Sequence, residues 1–441
     1  MKQPVGALSL LALGLNGIIG VGIFFTPNLI AAQLPGRAAM WAFPATALAL
    51  LPIAVAFATL GGRVGLDGGP YVWARAAFGS RAAAWVGWVA FVSALLSTAA
   101  VFAGLRDFLA ADLGLRGAGE KAAFTAACVF AFAVIAALGL RPSTWTWNLL
   151  TVLKLVPLLL LGASALSVGL GLWPRPTLLT ESIGPPSLGA TRPMATAFGS
   201  IEFERLARAL LLCVFPLQGF EIVPVLSGSA RSPRAIAVAT VGSLLGAAGL
   251  YAWIVAACVD AVPALATSSS PLTDAAYALG GTSLRRVVAW GTHVSALGIA
   301  FGMIVMTPRY LAALGNPSAL GARLGDLDSR AVPQRALWLC ASIVAVLVSV
   351  QGLASLFVLS SSAVLIQYVA ALAALLLFGW QRRFGLTRRS LVWPLAGTIA
   401  VGSLMHAVEL RELVVLASAL LLGGLLLYAR HPARAPKPPT E

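Results

Sequence analysis

The chain has 441 residues, 59% of them hydrophobic and only 10% charged, with a mean hydropathy of +0.91. A soluble domain carries roughly 25% charged residues, so this composition excludes a disordered chain, a coiled coil and an ordinary water-soluble enzyme. The 30 basic and 15 acidic residues leave a net charge of +15. Because the basic residues fall between long apolar runs, a lipid bilayer rather than nucleic acid is the expected partner.

Apolar stretches able to cross a bilayer, at roughly 20 residues each, recur at 8–33, 38–62, 82–106, 122–140, 145–170, 206–229, 236–260, 286–307, 334–350, 353–379, 391–408 and 412–429. They predict an all-α polytopic membrane protein of about twelve transmembrane helices, forming a single domain over 1–430 with a mobile tail at 431–441. The segment 63–81 predicts a short interfacial helix, and the Pro- and Gly-rich stretch 171–205 predicts the longest outer loop. The first apolar run continues past the length of a signal peptide, so no cleaved leader is expected. Cys128, Cys213, Cys258 and Cys340 all sit in apolar runs with no C-x-x-C pair, which points to neither disulfides nor a metal site. No cofactor motif is evident.

Cytoplasmic loops retain Lys and Arg. With both termini cytoplasmic, that side holds 18 basic residues against Asp67, Asp326, Asp328 and Glu441, and the opposite side holds 11 basic and 10 acidic ones. Lys154 and Glu221 remain inside the membrane. The positive excess therefore reports topology, and the chain is placed in the plasma (inner) membrane.

Two spans contain helix-breaking clusters, at 14–27 (GLNGIIGVGIFFTP) and 215–224 (FPLQGFEIVP). Gly and Pro weaken a helix interior and free backbone groups, tolerable in lipid only inside protein or at a water-filled cavity. Interrupted spans at matching places in two halves of a chain point to a transporter binding site. Around the first break, Gly17, Ile18, Gly20, Val21 and Gly22 offer amides to a carboxylate. Carbonyls of both broken helices can accept an ammonium. An amino acid carries both groups. Ordinary kinking of membrane helices is the simpler alternative for either cluster taken alone.

The motif at 20–27, Gly20-Val-Gly22-Ile-Phe with Pro27, resembles the G-x-G-I-F-x-x-P signature of the amino acid–polyamine–organocation (APC) superfamily. So do 68–73 (GGPYVW) with Phe78-Gly79, Gly219-Phe-Glu221 with Ser232-Pro-Arg234, Asn148 with Lys154, and Gln367-Tyr368. The resemblance covers most of the chain, in order. It implies a LeuT-type fold: inverted five-helix repeats at about 8–170 and 206–379, with discontinuous first and sixth helices, plus two extra helices at 391–429. Three positions depart from the family pattern. Ser229 replaces a frequent acidic residue, the usual glutamate near 58–60 is missing, and the run at 309–315 (RYLAALG) is reduced. All three bear on the cytoplasmic gate.

Lys154 lies about ten residues into its helix, near mid-membrane at 1.5 Å per residue, and an ionisable group there is a functional candidate by default. In sodium-coupled relatives a cation sits between the first and eighth helices; the resemblance implies that the Lys154 ammonium takes that place, as a proton-coupling group or as a cation locked to carbonyls of the first helix. Glu221, directly after the second break, either carries a proton or stays a neutral acid at the hinge. Phe215 aligns with an aromatic that covers substrate in relatives, whereas on composition alone a Phe in a membrane helix more often packs or faces lipid. Gln218 and Gly219 belong to the break itself. Ser93, Ala94, Ser97, Thr98 and Ser360 are small residues suited to a pocket wall or to helix packing. His293 reads as a packing residue, and Trp145 and Trp147 as interfacial anchors. Glu221 is the one carboxylate near the breaks, which favours neutral or apolar amino acids.

The sequence thus points to a secondary amino acid transporter working by alternating access with a proton as coupling ion. The alternatives are an exchanger or polyamine carrier and, with less support, a membrane enzyme or a non-transporting sensor; no catalytic motif or long soluble domain favours these last two. The oligomeric state is not legible.

Overall fold

The computed structural model describes residues 6–64, 69–139, 144–173, 202–225, 230–315 and 322–428, without the side chains of 111–112, 144–152, 315, 322 and 426–428. Ser229, Asp67, Gly68, most of the expected outer loop and the tail lie outside the described residues, as do the side chains of Asn148, Trp145 and Trp147. The described chain is all-helical. Its α-helices are α1 Ala7–Ile18, α2 Gly22–Phe25, α3 Pro27–Gln33, α4 Ala42–Val64, α5 Gly69–Phe78, α6 Ser80–Leu113, α7 Ala118–Ala137 and α8 Thr144–Gly169. After the outer loop come α9 Phe203–Leu217, α10 Ile222–Val225, α11 Pro233–Ala261, α12 Pro271–Gly315, α13 Ala322–Gly325, α14 Gln334–Val350, α15 Leu353–Trp380, α16 Val392–Met405 and α17 Leu410–Tyr428.

Among the described residues, seven helical stretches are long and apolar enough to cross a bilayer: 7–25, 36–64, 80–110, 118–137, 233–261, 271–314 and 353–380. Shorter apolar helices occupy 153–169 and 334–350. Apolar side chains also cover the outside of the bundle; Val238, Trp290 and Ile399 are 60%, 71% and 74% exposed. In water such a surface would drive association, whereas against acyl chains it is satisfied. The chain is a multi-pass membrane protein.

Lipid supplies no hydrophobic drive between helices, so close van der Waals packing must hold them. α6 and α15 run through the centre and pack on each other, α4 packs on α11, and α12 lies along α8 and α6. Gly291 of α12 lies directly against the Pro157 ring of α8. Helix starts follow local chemistry. Ser232 caps α11 by accepting the Ala235 N–H at 3.2 Å, with Pro233 at the first helical position. At α7 the Glu120 carboxylate accepts the Gly117 and Arg116 N–H groups at 3.0 and 3.1 Å.

Two elements differ from the sequence spans. The expected helix at 286–307 begins at Pro271 and bends where Gly280 (φ −141°) and Gly281 (φ +65°) leave helical geometry. A short 3-10 helix, Gly36–Trp41, precedes α4. Within 63–81, where the sequence predicts a short helix, the chain forms α5.

Candidate functional site

The first break opens where α1 stops at Ile18. Ile19 (φ −71°, ψ 89°) leaves the helix while its N–H donates to Leu15 C=O at 2.7 Å, and the ladder resumes with Phe24 N–H to Val21 C=O at 3.0 Å. Two carbonyls at the end of α1 are taken from outside the helix. Lys154 Nζ of α8 donates to Asn16 C=O at 2.9 Å, and the Tyr251 hydroxyl of α11 donates to Ile18 C=O at 2.9 Å. A cation is favoured at that end of α1 by the helix dipole. Lys154 is buried, at 6% exposure.

The second break follows Pro216. α9 ends at Leu217, Gln218 is extended, and Gly219 has φ +124°. The Gly219 N–H donates to the Glu221 carboxylate at 2.7 Å, so Glu221 closes the break within its own segment. The two breaks touch backbone to backbone. A Cβ on Gly219 would stand 2.5 Å from the Gly17 carbonyl carbon and 2.7 Å from Ile18 N; one on Gly22 would stand 2.7 Å from Pro216 Cα. Only glycine permits that approach. Gly17, Ile18, Gly22, Gly219 and Glu221 therefore gather at one place, and Lys154 reaches the first break from the side. No Lys154–Glu221 ion pair occurs; each is bonded to a main chain.

The remaining expected residues lie at the breaks themselves and on α6, α9, α12 and α15. Phe215 stacks on Phe357 with centroids 4.2 Å apart and rings at 21°, so it packs inside the protein rather than facing lipid. Ser97 and Ser360 hydroxyls are 2.6 Å apart, Thr98 and Thr307 hydroxyls 2.7 Å apart, and Ser93 is buried nearby on α6. The Gln218 amide nitrogen is buried with no hydrogen-bond partner among the described residues. Gly20 is less crowded: a Cβ there would meet Ile299 Cδ1 at 3.5 Å. Val21 is buried. His293 packs edge-on against Phe108 at 4.8 Å and its Nδ1 meets Ala289 C=O at 2.7 Å.

Beside Glu221 stands an aromatic cluster. Phe57 meets Trp73, Tyr368 and Phe220 at centroid distances of 5.3, 5.2 and 6.2 Å, and Phe220 meets Tyr368 at 5.6 Å. Sequence reasoning missed Tyr251, Phe357, Phe57 and Phe220. Tyr251 carried a usable signal, since a tyrosine inside an apolar run needs a partner for its hydroxyl.

A cavity of about 340 Å³ lies between α1, α8 and α11, lined by Ala12, Leu15, Asn16, Ile19, Lys154, Leu155, Gly246 and Leu250. It borders the first break on its Lys154 side. Phe215, Gln218, Gly219, Ser93 and Ser360 do not line it, so it is distinct from the pocket expected between the two breaks.

The chain is similar in sequence to known transporters. The chain is 26% identical over 366 residues to an uncharacterized transporter of Mycobacterium tuberculosis, covering 77% of this chain and 72% of the relative. It is 25% identical over 389 residues to the branched-chain amino acid permease BcaP of Lactococcus lactis, covering 83% and 80%. Against cationic amino acid transporter 4 of Mus musculus it is 23% identical over 333 residues, covering 71% of this chain and 50% of the relative. The sequence pattern of the amino acid permease family extends over residues 5–410, and the chain belongs to that family, within the APC superfamily.

Proposed function

We propose that this transporter moves neutral or apolar amino acids across the plasma membrane by alternating access, coupled to protons. The observation that carries the reading is the backbone-to-backbone junction of the two helix breaks at Gly17 and Gly219, with one ionisable side chain bonded to each break. The proposed architecture has twelve spans in two inverted repeats, 8–170 and 206–379, two further helices at 391–429, and cytoplasmic termini.

In this mechanism the substrate carboxylate binds the amides of Gly20, Val21 and Gly22, and its ammonium binds carbonyls freed at the ends of α1 and α9. Gln218, Ser93 and Ser360 form the wall, and Phe215 is the lid. Opening the junction exposes backbone groups that substrate can satisfy in place of the opposing break, so binding energy is realised as the pocket forms. Lys154 and Glu221 carry the coupling proton. The printed names of two relatives, a branched-chain permease and a cationic transporter, differ in substrate. The absence of a second carboxylate at the junction, among the described residues, favours the former.

Uptake of labelled leucine and arginine into proteoliposomes, with and without an inward proton gradient, tests this. Leucine uptake that rises with the gradient and loses that response in Lys154→Ala is expected. Arginine-selective uptake overturns the substrate class. Gradient-independent uptake unchanged in Lys154→Ala overturns the coupling, and no uptake or exchange of any amino acid or amine overturns the transport reading.

A further inference from the structure

One end of the bundle gathers arginines that the transport mechanism leaves unused. The connection from α15 to α16 carries Arg382, Arg383, Arg388 and Arg389, all exposed, and it packs against the ends of α4 and α15. Arg63 at the end of α4 converges on it: its Nη1 lies 3.4 Å from the point where Gly385 would carry a Cβ. Arg383 reaches α5, donating to Ala76 C=O at 3.3 Å, one residue from the exposed Arg75. None of these six guanidinium groups joins an ion pair among the described residues. Full ionisation of Asp67, the acidic residue between Arg63 and Arg75 in sequence, would still leave an excess of five positive charges.

The connection is also held in a costly backbone shape. Arg382 and Phe384 have φ of +55° and +54°, a region that non-glycine residues rarely adopt. That shape sets the Arg383 guanidinium over the Phe378 and Phe384 rings, at 5.2 and 5.1 Å, and Arg388 lies over Trp380 at 5.6 Å. A topology signal requires basic residues on one side of the membrane. It does not require them gathered, preset over aromatic rings and left without counter-charge. Trp380 (70% exposed) and Trp393 (39%) flank the cluster at the ends of two apolar helices, where interfacial aromatics sit at headgroup depth.

We propose that this cluster is a binding site for the phosphate headgroup of an anionic phospholipid in the adjacent leaflet, with Arg63, Arg382, Arg383, Arg388 and Arg389 as its ligands. Arginine suits the role because its planar fork engages phosphate with paired hydrogen bonds while still stacking on aromatic rings. The aromatic flank selects a lipid over a free anion.

Full-length protein in neutral detergent, titrated with dioctanoyl phosphatidylglycerol, dioctanoyl phosphatidylcholine or inorganic phosphate and followed by thermal unfolding, tests the site. Saturable stabilisation by the glycerol lipid is expected, with an apparent affinity about tenfold or more above that of the choline lipid. Arg388→Gln/Arg389→Gln is expected to lower that affinity about tenfold, whereas Arg434→Gln/Lys437→Gln in the tail, with equal charge removed, changes it less than about twofold. If the first variant does not fold, Arg63→Gln takes its place, and the wild-type selectivity stands by itself. Equal response to both lipids, equal response to phosphate alone, or an equal loss in the tail variant overturns the proposal.

Discussion

Replacing Lys154 with methionine separates the two things that a buried lysine does. The side chain keeps its length and loses its charge. One effect is relief: an ammonium at 6% exposure no longer has to be held out of water, and removing buried charges is often neutral or stabilising for the fold. The other is loss of the bond from Nζ to Asn16 C=O at 2.9 Å, which ties α1 to α8. A hydrogen bond from a charged donor contributes about 2 kcal/mol, and tenfold per 1.4 kcal/mol converts this to ~30-fold in the opening equilibrium of α1. The two effects oppose each other in global stability but only the second acts on α1 alone. Thermal unfolding should therefore move little, while backbone hydrogen exchange across 7–18 accelerates by ~30-fold and exchange in α16 stays constant. Unchanged protection over 7–18, or acceleration spread equally over α16, would refute the assignment of Lys154 as the lateral tie of the first broken helix.

Gly219→Ala should lower stability by about 3 kcal/mol, since the methyl would stand 2.5 Å from Gly17 and the residue has φ +124°. Gly20→Ala, with its methyl 3.5 Å from Ile299, should cost under about 1 kcal/mol by the same thermal assay; equal costs would contradict the junction. Arg208 of α9 makes paired bonds of 2.6 and 2.7 Å to Glu412 of α17. Arg208→Met, which strands the buried Glu412, should cost about 3 kcal/mol; Glu412→Leu, which leaves the half-buried Arg208 with Glu409 at 3.5 Å and Ala407 C=O at 3.2 Å, should cost less, and the double variant less than Arg208→Met, measured as a double-mutant cycle in thermal unfolding. In the connection before α14, Asp328 accepts from Gln334 Nε2 at 2.8 Å and from Val332 and Arg330 N–H at 2.8 and 2.9 Å, and these bonds hold its carboxyl below the usual aspartate range. Because its folded pKa is depressed, its contribution is complete above about pH 4 and is lost as pH falls through the lowered value. Pepsin cleavage within 322–334 should accelerate only toward the acid end of the enzyme's range, whereas Asp328→Ala should be cut fast throughout; a pH-independent wild type would remove Asp328 from that role.

What the sequence made legible was local. Glycines at 17, 20 and 22 and the Pro216–Gly219 pair break helices by their own backbone chemistry, so both breaks could be placed without any tertiary knowledge. Lys154 was conspicuous because a charge at that depth is expensive wherever it points. Its partner was not conspicuous, since Asn16 C=O is a backbone group and any carbonyl would look the same. Tyr251, Phe357 and the Arg208–Glu412 pair stayed hidden for a related reason: each contact joins residues that only the tertiary fold brings together. The helix start at Pro271 lies ahead of the apolar span expected at 286–307, because Arg285 and Arg286 interrupt the run of apolar residues.

The pairing of the two intramembrane charges with backbone rather than with each other has a consequence for how the junction can move. An ion pair buried between α8 and the second break would have to be pulled apart whenever the breaks separated, leaving two uncompensated charges at a cost of several kcal/mol. Here Lys154 is bonded to the end of α1 and Glu221 to the Gly219 N–H two residues before it in its own segment. In the proposed coupling, each ionisable group would exchange its bond for a proton change without stranding the other. In the proposed alternating-access cycle the contact that opens, Gly17 against Gly219, consists of close packing between glycines, which releases no buried charge when it parts. Under the proposed mechanism, a junction built this way has its electrostatics on the flanks and its motion at the seam, so protonation at either flank would bias separation at the seam without having to accompany it.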